Sequence, residues 1–298
     1  MTITAEAVKQ LRERTGAGMM DCKKALVEVG GDLDAAAELM RKQGLAKADK
    51  KAARIAAEGT IVIERSPDGL SAAIAEINCE TDFVAREQDF RAFAAAVGKL
   101  ALARRVEDVA ALLSLKSEGG DTLDERRRAL VAKIGENISV RRVALAIAPT
   151  ALGTYVHGTR IGVLVGLRGG DESLARDIAM HVAAMSPEYV SPSDVPAPVV
   201  AKEREIFAEQ VKAEGKPPEI AGKIVEGKLR KRLNEVSLTG QLFVKHDKTT
   251  IENLLKSAKA EVTAMVRFEV GAGIEKKQGD FAAEVMATVQ GATTTAKH

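Results

Sequence analysis

Val8, Leu11, Met20, Leu26, Val29, Leu33, Ala37 and Met40 recur at helical spacing, and the run is broken by Thr15-Gly16-Ala17-Gly18 and again by Gly30-Gly31, which predicts a compact three-helix module. Met19 and Met20 are adjacent, and neighbouring side chains on a helix point about 100° apart, so both can hardly face one core. One is then an exposed, adaptable contact for a partner, or one fills the core while the other lies over the loop; both readings fit. Ala46 to Ala57, alanines interleaved with Lys47, Lys50, Lys51 and Arg54, lacks a full apolar stripe and reads as a semi-rigid helical connector. Thr60–Arg65 and Leu70–Cys79 flank Ser66-Pro67-Asp68-Gly69, the composition of a β-hairpin turn, and a helix is expected from Val84 to Leu102.

An ordered internal likeness follows. Gly59-Thr60-Ile61-Val62, a turn, a strand and the helix beginning Asp89-Phe90-Arg91-Ala92 are echoed by Gly153-Thr154-Tyr155-Val156, a turn, Ile161–Leu167 and Asp177-Ile178-Ala179-Met180. Two related units are expected, each a small antiparallel sheet packed by one or two helices, in an α+β protein. Asp124–Ile134 reads as a helix with Arg126, Arg127 and Arg128 on its outer side, and Ile138–Ala148 as a strand. Prolines at 187, 192, 196 and 198 mark a boundary. Beyond it, helices over 199–213 and 219–234 form an antiparallel hairpin in which Ile206, Phe207 and Val211 meet Ile220, Ile224, Leu229 and Leu233. The chain returns through 237–244, a helix over 250–257 and a strand over 262–271, so the hairpin interrupts the second unit. A short helix near 281–289 and a small, polar, disordered tail from 291 to 298 are expected last. The division is 1–56, 57–148, 149–189 with 238–273, 190–237 and 274–298.

A chain of 298 residues exceeds what one core usually organises, in keeping with that division. Its 44 basic and 42 acidic residues nearly cancel, so the field of a nucleic-acid binder is missing and direct binding of nucleic acid is disfavoured. Cys22 and Cys79 lie far apart without metal-ligand spacing, which suits reduced thiols and argues against structural zinc. The N-terminus has no basic flank or apolar core of a signal peptide, and the longest aliphatic run, Ile161–Leu167, is too short to span a bilayer; a soluble, cytoplasmic protein without membrane attachment is expected.

Motifs of catalysis are sparse. No phosphate-binding Gly-Lys-Ser or Gly-Lys-Thr occurs, the Gly-Ala-Gly fragments at 16–18 and 271–273 lack a third glycine, and His157, His181, His246 and His298 form no metal pattern. His181 reads as structural. His157, in a predicted turn, is either solvated or interfacial. These features favour a binding protein that uses no cofactor or metal over an enzyme. With aromatics at only 3% of the chain, Phe83 in Asn78-Cys79-Glu80-Thr81-Asp82-Phe83-Val84 stands out, set among acids and hydroxyls where a strand gives way to a helix. It is an anchor for a partner's pocket, or it tucks under the following helix while Thr81 or Asp82 caps that helix. The second repeat holds Gly169-Gly170-Asp171-Glu172 there, so the shared architecture does not demand a phenylalanine.

Leu11-Arg12-Glu13-Arg14-Thr15-Gly16-Ala17-Gly18-Met19-Met20-Asp21-Cys22-Lys23-Lys24-Ala25-Leu26 resembles the N-terminal signature of the bacterial translation elongation factor Ts family. Asn78–Val84, Ala129–Ile138, His157–Val165 and Arg267–Glu275 match other signatures of that family in order, so the resemblance spans nearly the whole chain. It implies a guanine-nucleotide exchange factor for elongation factor Tu, built from a ubiquitin-associated-like module, two core subdomains, a protruding coiled coil and a C-terminal module. It further implies that Thr81, Asp82, Phe83 and Val84 approach the GTPase near its bound magnesium, with Phe83 wedged between partner helices and Asp82 assisting. Arg12, Met19 and Met20 take an interfacial role by the same resemblance, and His157 meets another domain of the partner. A homodimer within a heterotetramer is allowed, since dimerisation varies in the family. The insert around Leu113–Asp121 and the long tail depart from the family pattern.

Overall fold

The computed structural model describes residues 3–117, 119–215 and 217–275. The expected helix over 281–289 and the tail lie outside these residues. Helices α1 (Ala5–Thr15), α2 (Met19–Glu28) and α3 (Leu33–Lys51) open the chain. Thr4 caps α1 by accepting from the Ala7 N–H, and Gly16 closes it at φ 66°, a left-handed conformation suited to glycine. Val8, Leu11, Cys22, Ala25, Leu26 and Ala36 are buried together. Met20, expected within this stripe, is exposed, and so is Met19. The buried stripe of α2 begins at Cys22, and both methionines precede it, in the turn that leaves Gly18.

α3 takes in the first half of the connector expected from Ala46 to Ala57. It runs on to Lys51 with Ala48 buried in the next core, and Lys51 Nζ donates to the Gly135 carbonyl. A Cβ placed on Gly44 would meet Ala132 Cβ at 3.2 Å, so a small residue lets α3 lie close to the helix that carries Ala132.

The first sheet has the order β1 (Glu58–Arg65), β2 (Ser71–Cys79), β3 (Ser139–Ile147), antiparallel throughout, with Thr60 opposite Ile77 and Ala75 opposite Val143. The single helix expected over 84–102 is two, α4 (Asp82–Arg86) and α5 (Gln88–Arg104), because Glu87 between them is extended at φ −62° and ψ 140°. Phe90, Phe93, Ala94 and Val97 of α5 cover Ala73, Ala75 and Ile77 of β2. α6 (Val109–Ser114) and α7 (Leu123–Ile134) complete this layer. The arginines of α7 are half-buried rather than outward: Arg127 and Arg128 both grip Asp124, and Arg127 Nη1 reaches the Ile138 carbonyl at 3.1 Å.

The second sheet repeats the plan. β4 (Ala151–His157) and β5 (Ile161–Arg168) form a hairpin, and α8 (Glu172–Met185) packs on them through Ala175, Ile178, Ala179 and Val182. Then α9 (Ala197–Ala213) and α10 (Pro218–Val236) project as an antiparallel pair. β6 (Leu242–Phe243), β7 (His246–Thr250) and α11 (Ile251–Ser257) lead back to β8 (Glu261–Glu269), which closes the sheet in the order β4-β5-β8. Along the hairpin Val211 and Leu229 are buried and Arg204–Glu226 and Lys228–Glu214 bridge the arms, whereas Ile206 and Ile220, expected inside, are exposed.

The two sheets meet through Ile61, Ala72, Ile74, Leu152, Leu164, Phe268 and Val270. In this seam Glu76 is fully buried, with Arg142 at 2.6 Å, Arg141 at 3.1 Å and the Gly271 N–H at 2.8 Å. The repeat glycines are required for different neighbours: a Cβ at Gly59, where φ is 146°, would stand 2.1 Å from the Ile77 carbonyl oxygen, and one at Gly153 would stand 2.1 Å from the Ala175 backbone of α8.

Candidate partner interface

The residues after β2 are fixed by hydrogen bonds that reach across the sequence. Thr81 is the N-cap of α4: its hydroxyl accepts from the Val84 N–H at 3.4 Å and donates to Glu136 Oε1 at 2.7 Å. Glu136 Oε2 accepts the N–H groups of Glu80 at 3.1 Å and Thr81 at 3.0 Å. In return Glu80 Oε1 accepts the Asn137 N–H at 2.6 Å, and Asn137 Nδ2 donates to the carbonyls of Ala52 and Arg54. The turn, the segment after α7 and the segment after α3 are thereby tied together.

On that turn, side chains diverge by the helical angle. Val84 points in and is buried with Cys79 and Phe90. Phe83, one residue earlier, points out and is 77% exposed. Asp82 is also exposed and pairs with Arg86 one turn on, at 2.9 Å. A benzyl group held in water forgoes about 1.5–3 kcal/mol that burial would return, and it sits on a rigid base. Beneath it the Cys79 thiol is buried and donates to the Thr81 carbonyl at 3.1 Å. Burial, followed by the nearby Glu136 and Glu58 carboxylates, pushes its pKa up to about 12, so it is a neutral packing group.

The other expected contact residues occupy separate elements. Arg12 is exposed on α1, and Met19 and Met20 on the first turn of α2, 56% and 63% exposed. His157 is the last residue of β4 rather than part of a turn; it is exposed, with Tyr155 Oη 3.4 Å from its Nδ1. A physical link runs between the first two regions, since Lys133 of α7 pairs with Asp89 at 2.6 Å while its aliphatic stem lies beside Gly16. His181, read as structural, is buried; its Nδ1 accepts from the Val244 N–H and its Nε2 contacts Gln241 Oε1 at 2.9 Å, and burial lowers its pKa.

Glu80 is weighed in the sequence only as an acid paired with Asp82, and here it serves as a hydrogen-bond acceptor within the turn; Glu136, Asn137 and Glu76 are not singled out as candidate residues. Glu76 carried a signal, an acid in the middle of the otherwise small and aliphatic strand Ser71–Cys79. Glu136 and Asn137 lie in the Ala129–Ile138 signature, which marks the segment without giving either residue a role. Among the described residues, no group of three or more His, Cys, Asp or Glu is placed to hold a metal, and no helix is long and apolar enough to cross a membrane.

Paired α+β halves that carry an unburied aromatic on a braced turn define a scaffold for presenting side chains to another molecule. The profile of the family described as elongation factor TS matches residues 80–272. Relatives named elongation factor Ts agree over almost the full length. That of Alkalilimnicola ehrlichii is 58% identical, covering 98% of this chain and 100% of the relative. That of Halorhodospira halophila is 54% identical, covering 97% and 99%, and that of Idiomarina loihiensis 56%, covering 98% and 99%. The chain belongs to the elongation factor Ts family, and its role lies in translation elongation.

Proposed function

We propose that this protein is the guanine-nucleotide exchange factor of elongation factor Tu: it binds the GDP-bound GTPase and promotes GDP release by disturbing the magnesium and phosphate site. The observation that carries this reading is Phe83, an aromatic left in water on a turn that hydrogen bonds hold in place. Burying the ring in a rearranged partner stabilises that arrangement and no other, by a few kcal/mol at most. Thr81 caps the turn and Val84 anchors it in the core, so Asp82 and Phe83 are the groups that make contact. Arg12, Met19 and Met20 touch the nucleotide-binding domain, and His157 another domain of the partner.

No bond is made or broken by the factor in this reading. Two ligands of one GTPase are coupled: a factor that favours a conformation holding GDP poorly must itself be held less well when GDP is bound, by the same ratio. The setting is the cytoplasm, and the units are the helical module, two core subdomains and the hairpin, with an assembly of one or two copies per complex.

Release of a fluorescent GDP analogue from purified elongation factor Tu tests this. Addition of the protein accelerates release, and Phe83→Ala or Asp82→Ala removes most of the acceleration. Tight binding without any acceleration would make the protein an adaptor resting on its ubiquitin-associated-like module. His157→Ala causes a milder loss of affinity, and an unchanged titration would take that residue out of the interface.

A further inference from the structure

We propose that Glu136 is a positioning residue for the Phe83 turn, acting through Thr81; the inference rests on the exchange reading above. The Glu80 and Thr81 N–H groups fall between the last pair of β1 and β2, Glu58 with Cys79, and the first turn of α4. Neither ladder nor helix supplies them with an acceptor. One carboxylate does so, and its second oxygen takes the Thr81 hydroxyl proton that would otherwise leave the cap free to rotate.

Glu136 is itself held on both sides. Gly135 ends α7 in the left-handed region at φ 92°, with its N–H on the Val131 carbonyl and its carbonyl taken by Lys51. Asn137 is fixed by Glu80 and by the Ala52 and Arg54 carbonyls. The direction of the Phe83 ring is therefore set from a helix end more than 50 residues away in the chain, by hydrogen bonds between residues 55 and 56 positions apart. Glu136 need not touch the partner to act.

The test uses the full chain with Glu136→Ala and Glu136→Gln, each alone and combined with Phe83→Ala. Two readouts are taken: the maximal acceleration of GDP release with its half-saturating concentration, and amide hydrogen exchange at Glu80 and Thr81. Glu136→Ala removes three charge-assisted hydrogen bonds and is expected to quicken exchange of both amides and lower the maximal acceleration at least about tenfold, the equivalent of any one of them, while half-saturation shifts far less. Glu136→Gln retains an oxygen acceptor and recovers most of the activity, with roughly a threefold loss, about half of that free energy. In the Phe83→Ala background either substitution lowers the rate further by much less than in the parent, because the ring is the main group that Glu136 positions and only the share carried by Asp82 is left to lose. Unchanged protection and unchanged rate in Glu136→Gln and Glu136→Ala overturn the proposal, as does an equal additional loss in the Phe83→Ala background. If Phe83→Ala alone keeps full acceleration, the exchange mechanism fails instead, and amide protection still decides whether Glu136 fixes the turn.

Discussion

Two residues four positions apart show how burial decides chemistry at the smallest scale. Phe83 makes no core contact to lose, so Phe83→Ala is expected to leave the unfolding free energy measured in urea within about 0.5 kcal/mol of the parent; a larger drop would mean that the ring supports its own fold. Cys79 behaves oppositely. A thiol whose pKa is raised from 9.0 to about 12 keeps its proton in the folded state, so its contribution to stability is complete below pH 9 and is lost as the pH climbs toward 12. Native protein at pH 8 should therefore resist iodoacetamide at Cys79, with labelling only on unfolding. Rapid labelling at that site under native conditions would contradict its burial. Phe83 was visible in the sequence as an oddity of composition, but its direction was not: that depends on Glu136, whose partnership with Thr81 spans a distance no local pattern encodes.

Among the elements, α1, α2, β1 to β5 and β8 lie where periodicity and turn chemistry put them, whereas the short β6–β7 hairpin has no expected counterpart. What pattern could not foresee were interruptions and dockings settled by tertiary contacts. Glu87 breaks one expected helix in two because Val84 must turn inward while Phe90 and Phe93 take the sheet. Ala48 joins a core, though its neighbours read as a connector without a full apolar stripe. The projecting pair α9 and α10 holds Gly222 in a helix interior with nothing within 4 Å of an added Cβ. Gly222→Ala should stabilise by about 0.5–1 kcal/mol, since it reduces the freedom of the unfolded chain without meeting a neighbour. Slower amide exchange in α10 would register the gain, and faster exchange would show that the glycine serves a bend.

At the level of the whole molecule, the seam between the sheets turns on one buried acid. Burial by itself pushes the Glu76 carboxyl up, but the Gly271 N–H and the Arg142 and Arg141 guanidiniums outweigh it, and the net direction is down. A carboxyl depressed in the folded state contributes stability that is present above its unfolded value, near pH 4, and is lost as the pH falls through its folded value. Glu76→Gln is expected to cost about 3 kcal/mol at pH 7, leaving two guanidiniums short of a counter-charge, and to flatten the acid limb of the stability profile. Equal acid sensitivity in mutant and parent would place that limb elsewhere.

β5 lies at the middle of its sheet, yet its partner β8 comes only after α8, the projecting pair and α11 have been made. At about 5–20 residues per second of synthesis, the edge of β5 waits roughly 5–20 s for the strand that covers it. A nascent chain halted before Glu261 thus carries β5 with one edge open along Val163, Val165 and Leu167, and nascent chains of this protein should draw chaperones most strongly over that interval.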